Sequence, residues 1–97
     1  MKSLEEIQLI LQEHQELLQK RFRVSKMQIF GSYARGQQTI NSDVDILIGY
    51  DHPPTLWMLG ELRDYLSEML GLQVDIVTEK GLKPRIRERV LAEAVKI

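Results

Sequence analysis

The segment Gly31-Ser32-Tyr33-Ala34-Arg35-Gly36, followed after five residues by Ser42-Asp43-Val44-Asp45, decides how this chain is read. A glycine–serine turn comes directly after the apolar run Met27-Gln28-Ile29-Phe30. About ten residues beyond it, two aspartates stand at i and i+2, at the head of a second apolar run. Side chains alternate across a strand, so Asp43 and Asp45 emerge on one face and Val44, Ile46 and Ile48 on the other. The apolar set is a face for helices to cover. The carboxylates belong to the face left open.

Outward from this centre the chain alternates elements. Ser3 to Arg21 reads as one helix: Ser3 and Glu6 have capping-box spacing, and Leu4, Ile7, Leu11 and Leu18, with Ile10 and Leu17, form a broad apolar stripe at helical period. Val24 to Phe30 reads as a strand, Gly31 to Gly36 as a turn opening a short helical segment, and Gln37 to Ser42 as a polar loop. Asp43 to Tyr50 is the second strand, broken by Asp51-His52-Pro53-Pro54. Thr55 caps a long helix to about Leu70, with Leu59, Leu62, Leu66 and Met69 on one face, and Gly71 stops it. Leu72 to Thr78 is the third strand. Pro84 fits the first turn of a last helix that buries Ile86, Val90 and Ala94. The order predicts an α/β (α+β) fold: a small mixed sheet of three to four strands with helices packed on one face.

The 97 residues suit a single small domain, 1–97, with no internal repeat or linker. No apolar run is long enough to span a bilayer, and the charged, amphipathic N-terminal segment does not resemble a signal peptide. The chain has no cysteine, which excludes disulfides and thiolate metal sites and agrees with a cytoplasmic location. His14 and His52 do not form a ligand cluster.

The formal net charge of -1 names no partner, but its distribution is uneven. From Asn41 to Glu79 eight acidic residues face Arg63 alone, and from Lys80 to Ile97 six basic residues face Glu88 and Glu93. The acidic centre suits cation binding. The basic tail suits phosphates, nucleic acid, an acidic partner, or simply a solvated helix face. It has no interleaved aromatics and no helix-turn-helix pattern, so nucleic acid is not the expected partner.

The third strand repeats the logic of the second. Val74 and Ile76 are its apolar pair, and Asp75 points opposite them. If the two strands are neighbours in ordinary register, Asp43, Asp45 and Asp75 converge on the uncovered face. Like charges so placed repel by roughly a few kcal/mol at an effective dielectric near 20, and a cation must compensate. Hard oxygen ligands with room for water favour Mg²⁺ or Mn²⁺, and a pair of such ions about 4 Å apart can hold an attacking oxygen and a triphosphate together. A lone Asp-x-Asp most often just flanks a strand. The third aspartate and the turn at this distance reverse that reading.

Gly31 allows close approach of backbone to a phosphate, amides at the turn offer donors to an anion, and the Ser32 hydroxyl adds another. No Gly-Lys-Ser/Thr follows, so this is not a Walker A loop. Arg35 either contacts phosphate or pairs with a carboxylate of the following loop. Ser42 is expected to cap its loop rather than orient Asp43. Tyr33 and Tyr50 are each equally suited to stacking on a base and to packing. Trp57 falls with Glu61, Asp64 and Glu68 on the polar side of its helix; packing on the N-terminal helix or the Pro53-Pro54 loop is favoured over a docking role.

These residues resemble the nucleotidyltransferase superfamily that includes DNA polymerase beta. The match lies in Gly31, Ser32, Asp43, Asp45 and Asp75. The fuller string Gly-Ser-x-Ala-Arg-Gly with Ser-Asp-x-Asp, and the tail from Val74-Asp75-Ile76-Val77 through Gly81-Leu82-Lys83-Pro84, resemble the minimal nucleotidyltransferase (MNT) branch. The resemblance covers nearly the whole chain. It implies a polymerase beta-like palm and an antitoxin that transfers AMP from ATP to a tyrosine of a HEPN-domain ribonuclease toxin. It also implies that Asp43 and Asp45 bind two Mg²⁺ ions, that Asp75 joins one of them and serves as base for the tyrosine hydroxyl, and that Gly31 and Ser32 hold the triphosphate. The short chain carries no appended substrate-recognition domain, which favours an acceptor that brings its own binding surface. Two other readings remain open: neutralisation of a partner by docking alone, and nucleotidyl transfer to a small molecule or RNA.

Overall fold

In a computed structural model, which describes residues 2–97, the predicted alternation builds one four-stranded mixed sheet. The chain runs α1 (Leu4–Glu13), α2 (Gln15–Phe22), β1 (Val24–Phe30), α3 (Ser32–Arg35), β2 (Val44–Tyr50), α4 (Leu56–Leu70) and β3 (Val74–Thr78). A 3₁₀ turn (Glu79–Gly81), α5 (Pro84–Glu93) and β4 (Val95–Lys96) complete it. The strand order is β3-β2-β1-β4. β1 is antiparallel to both β2 and β4, while β2 and β3 are parallel and joined through α4.

The helix predicted over Ser3 to Arg21 is two helices. The capping box is present, with the Ser3 side chain accepting from the Glu6 amide and the Glu6 carboxylate accepting from the Ser3 amide. The break falls at His14, whose backbone leaves the helical region (φ -108°, ψ 7°) and whose Nδ1 is 2.8 Å from the Ile10 carbonyl. A side chain that bonds the carbonyl four residues back competes with the helical ladder. The apolar stripe still continues across the break, because Ile7, Leu11, Leu18 and Phe22 are all buried.

The main core fills one side of the sheet. Ile46 and Ile48 of β2, Met27 and Ile29 of β1 and Val74 of β3 meet Ile7, Leu11 and Leu18 from α1 and α2 and Leu62, Leu66 and Leu70 from α4. Burying each such aliphatic side chain stabilises by roughly 1.5–3 kcal/mol. Helices α1, α2 and α4 therefore occupy the face opposite Asp43 and Asp45, as alternation requires. The aspartate face is not wholly open, however. A smaller cluster of Leu47, Leu82 and Val90, joined by Phe30, Val77 and Ile86, packs α5 onto it. Ala94 lies beyond α5, half-buried, and leads into β4, whose Val95 pairs with Ile29.

Among the described residues no helix is long and apolar enough to cross a membrane.

Candidate nucleotide and metal site

Parallel pairing of β2 with β3 sets Val44 beside Val74, Asp45 beside Asp75 and Ile46 beside Ile76. The register anticipated from alternation is thus present, and Asp45 and Asp75 are cross-strand neighbours on the face away from the main core. Asp43 stands just ahead of β2, where the Val44 amide already bonds the Gln73 carbonyl at 2.8 Å. Asp43 and Asp75 are exposed, and both line an open cleft of about 820 Å³ with Arg63, Asp64, Ser67 and Glu68. Asp45 is half-buried.

That difference in burial has an electrostatic consequence. The Asp45 carboxyl is pushed up to about 6, first by loss of solvent, then by the negative charges of Asp75 and Asp43. The Arg35 guanidinium pulls it back down, and Glu93 adds a further upward push. A cation beside such a group would stabilise the ionised carboxylate and favour release of its proton to solvent. The donor set is entirely hard oxygen, which suits Mg²⁺ or Mn²⁺. Among the described residues no three acidic or imidazole side chains close around one point. Asp43, Asp45 and Asp75 come together in register and charge, and their oxygens are of the kind that would suit a hard divalent cation.

Gly31 stands against Asp45. Its backbone (φ 76°, ψ -151°) lies in a region open essentially to glycine alone. A Cβ there would first meet Asp45 Oδ2, closer than real Cβ contacts come. The missing side chain therefore lets the turn and the carboxylate touch. Beyond Gly31, α3 is one turn ended by Gly36, with the Gln37 amide bonding the Ser32 carbonyl at 2.9 Å. Amides at Ser32, Tyr33 and Ala34 have no carbonyl four residues back within that turn. Ser32 itself is half-buried beside them.

Of the open alternatives, several close. Tyr33 is fully buried and packs in the main core, so it does not stack on a base. Ser42 Oγ accepts from the Thr39 amide at 2.8 Å and caps its own loop. Arg35 does pair with a carboxylate, but with that of Glu93 on α5 and not with one of the following loop; Arg35 Nη1 reaches Glu93 Oε2 at 3.0 Å and its Nε reaches Gln37 Oε1 at 3.0 Å. The same Glu93 oxygen accepts the Gly31 amide at 2.7 Å. Glu93 was not a site candidate in the sequence, since it lies 62 residues from Gly31 in a helix of mixed charge. Trp57 does not pack as favoured: it is 79 % exposed, beside Leu56 at 88 %.

Asp45, paired with Asp75 across two parallel strands, thus stands against a glycine–serine turn. The nucleotidyltransferase domain family matches residues 11–97, and the chain belongs to that family. Within it, the chain is 45% identical over 95 residues to the protein adenylyltransferase MntA of Thermococcus cleftensis, covering 98% of this chain and 96% of that protein. It is 41% identical over 98 residues to a candidate protein adenylyltransferase of Methanocaldococcus jannaschii, covering the whole of both. A solved structure of a candidate minimal nucleotidyltransferase superposes with a TM-score of 0.83 at 36% identity, over 99% of this chain and 97% of that one. The fold also recurs in a toxin–antitoxin complex with AMP-PNP, at TM-score 0.75 and 24% identity, over 88% of this chain and 69% of that one.

Proposed function

We propose that this chain is an antitoxin that transfers AMP from ATP to a tyrosine of a HEPN-domain ribonuclease and thereby silences it. The observation that carries the reading is the pairing of Asp45 with Asp75 across β2 and β3, against the Gly31 turn. The name of the 45% identical relative, a protein adenylyltransferase, supports AMP transfer to protein. The HEPN partner and its tyrosine come from the resemblance of Gly31–Gly36, Ser42–Asp45 and the Val74–Pro84 tail to the minimal branch.

In this account Asp43 and Asp45 hold the divalent cations and Asp75 shares one of them. When bound, Mg²⁺ neutralises charge on the triphosphate and on the entering oxygen. Gly31, lacking a side chain, lets the turn approach the β- and γ-phosphates, Ser32 offers its amide and hydroxyl as donors, and Arg35 adds positive charge behind the turn. Asp75 is exposed on the cleft side, and it accepts the proton of the tyrosine hydroxyl as that oxygen attacks the α-phosphorus. The P–O bond to the β-phosphate breaks and pyrophosphate leaves. Asp45, with its carboxyl raised to about 6, would be drawn further toward its ionised form by a cation beside it. In this account the whole reaction takes place in the cytoplasm, within a single domain.

One observation favours a second reading. Leu56 and Trp57 form an exposed apolar pair at the start of α4, a surface suited to docking a partner without chemistry. The two accounts separate with ATP labelled at the α- or the γ-phosphate, Mg²⁺ and a lysate of the native host. Transfer of the α-label alone to one small protein, lost in Asp43→Asn, is the expected result. Full neutralisation of the partner by Asp43→Asn and Asp45→Asn variants would instead leave docking as the mechanism.

A further inference from the structure

We infer that Glu93 is a positioning residue for the phosphate turn, clamping Gly31 and Arg35 from the far end of α5. The inference rests on reading Gly31-Ser32 as the triphosphate cradle. One carboxylate oxygen, Oε2, accepts the Gly31 amide at 2.7 Å and the Arg35 guanidinium at 3.0 Å, while Oε1 lies 3.3 Å from the same guanidinium nitrogen. Bonds to an ionised acceptor at such distances are the strong class of hydrogen bond. They span both ends of α3, because Gly31 precedes its first residue and Arg35 is its last.

Three features make this a fixed clamp and not a plug that phosphate would push aside. Glu93 ends α5, whose Val90 and Ile86 are packed on Leu47 and Phe30 of the same face. Two residues later the chain is pinned again, as β4 pairs Val95 with Ile29 and Lys96 with Gln28. The Glu93 side chain is only 20 % exposed, so it has little room to swing away. Held at both ends, Glu93 consumes the Gly31 amide and fixes the glycine in its unusual backbone region. The donors left for an anion are then those beyond Gly31, and the peptide plane that orients them is set by Glu93. Arg35, gripped by Glu93 and Gln37, carries its charge at a defined place beside the turn.

The test uses Glu93→Ala and Glu93→Gln in the intact chain, read by ATP kinetics with α-labelled nucleotide and by hydrogen exchange of the Gly31 amide in nitrogen-15 labelled protein. Glutamine keeps an acceptor for Gly31 and loses the charge. Glu93→Ala is expected to raise KM for ATP about tenfold, with a smaller change in kcat, and to speed Gly31 exchange by about the same factor, the loss of one charge-assisted bond. Glu93→Gln is expected to restore most of both. Tighter ATP binding in either variant would identify a plug and overturn the clamp. Unchanged Gly31 exchange, or a glutamine variant as impaired as alanine, would overturn it as well. Ser32→Ala is measured in parallel: if ATP binding ignores Ser32 while Gly31 exchange still follows Glu93, the cradle reading fails and the clamp stands.

Discussion

Replacing Gly31 by alanine tests the contact on which the site is built. Two costs arise, and they can be separated. The first is conformational: at φ 76°, ψ -151° a side chain costs about 1–3 kcal/mol. The second is steric, since the new Cβ meets Asp45 Oδ2 first and then Cγ at 3.1 Å and Cβ at 3.3 Å. Asp45 must therefore rotate away from its place beside Asp75. Gly36→Ala is the matched control. Gly36 also has positive φ (70°), but a Cβ there meets nothing within 4 Å, so only a left-handed backbone cost of about 1–2 kcal/mol remains. In a domain of this size 1 kcal/mol moves Tm by about 4–8 °C, so Gly36→Ala should lower Tm by about 4–16 °C and keep most of its AMP transfer. Gly31→Ala should lower Tm further and cut transfer by about a hundredfold, the scale on which a displaced catalytic group is felt. Calorimetry and the α-label assay measure both. If the two variants lose equal stability and Gly31→Ala still transfers AMP, Asp45 does not stand against the turn.

Asp45 makes a pH prediction whose sign differs from that of most carboxylates. Its folded-state carboxyl is raised from 3.8 to about 6, so the folded protein holds this proton more tightly than the unfolded chain does. That contribution to stability is full below the unfolded value and is lost as pH rises through about 6. It amounts to at most about 3 kcal/mol, and roughly half or less after solvent screening. Urea titrations in EDTA should show wild type losing stability relative to Asp45→Asn between about pH 4 and about pH 7, with Mg²⁺ restoring it; a constant difference would refute the electrostatic account. Leu66→Ala, in the middle of the main core and fully buried, should cost about 2–5 kcal/mol in urea unfolding, and a loss under about 1 kcal/mol would mean the core collapses around it. Trp57→Ala should leave stability within about 0.5 kcal/mol, because the side chain is mostly in water; any weakening of partner binding by this variant then reports docking, and a large Tm loss would show hidden packing.

Strand chemistry was the legible part of this sequence. Alternation of Asp43 and Asp45 with Val44, Ile46 and Ile48 fixed the faces of β2, and the same pattern at Val74, Asp75 and Ile76 set the register that joins the carboxylates. The break at His14 was not legible, because the apolar period runs straight through it and the bond to Ile10 leaves no mark on that period. The placement of α5 had a signal that went unused. Leu47 shares the face of Asp43 and Asp45, and a buried leucine there requires a cover, which α5 supplies. Glu93 had no such signal: in a helix of mixed charge it looks like any solvated residue, and only the chain path through β4 brings it to Gly31.

That path bears on the order in which the molecule forms. β1 and β2 are close in sequence and can pair early, and the α4 crossover brings β3 in beside them. Contact of Lys96 with Gln28 closes more than two thirds of the chain, and loops of that span form late because their closure entropy must be overcome before any contact rewards it. On this topology three strands and the main core are expected to form before residue 93 reaches the turn. In pulsed-exchange refolding the Gly31 amide is expected to gain protection after the amides of β2. Such a protein would stand for a time as a folded scaffold with an unfinished phosphate turn, and the arrival of α5 and β4 would decide when it becomes competent.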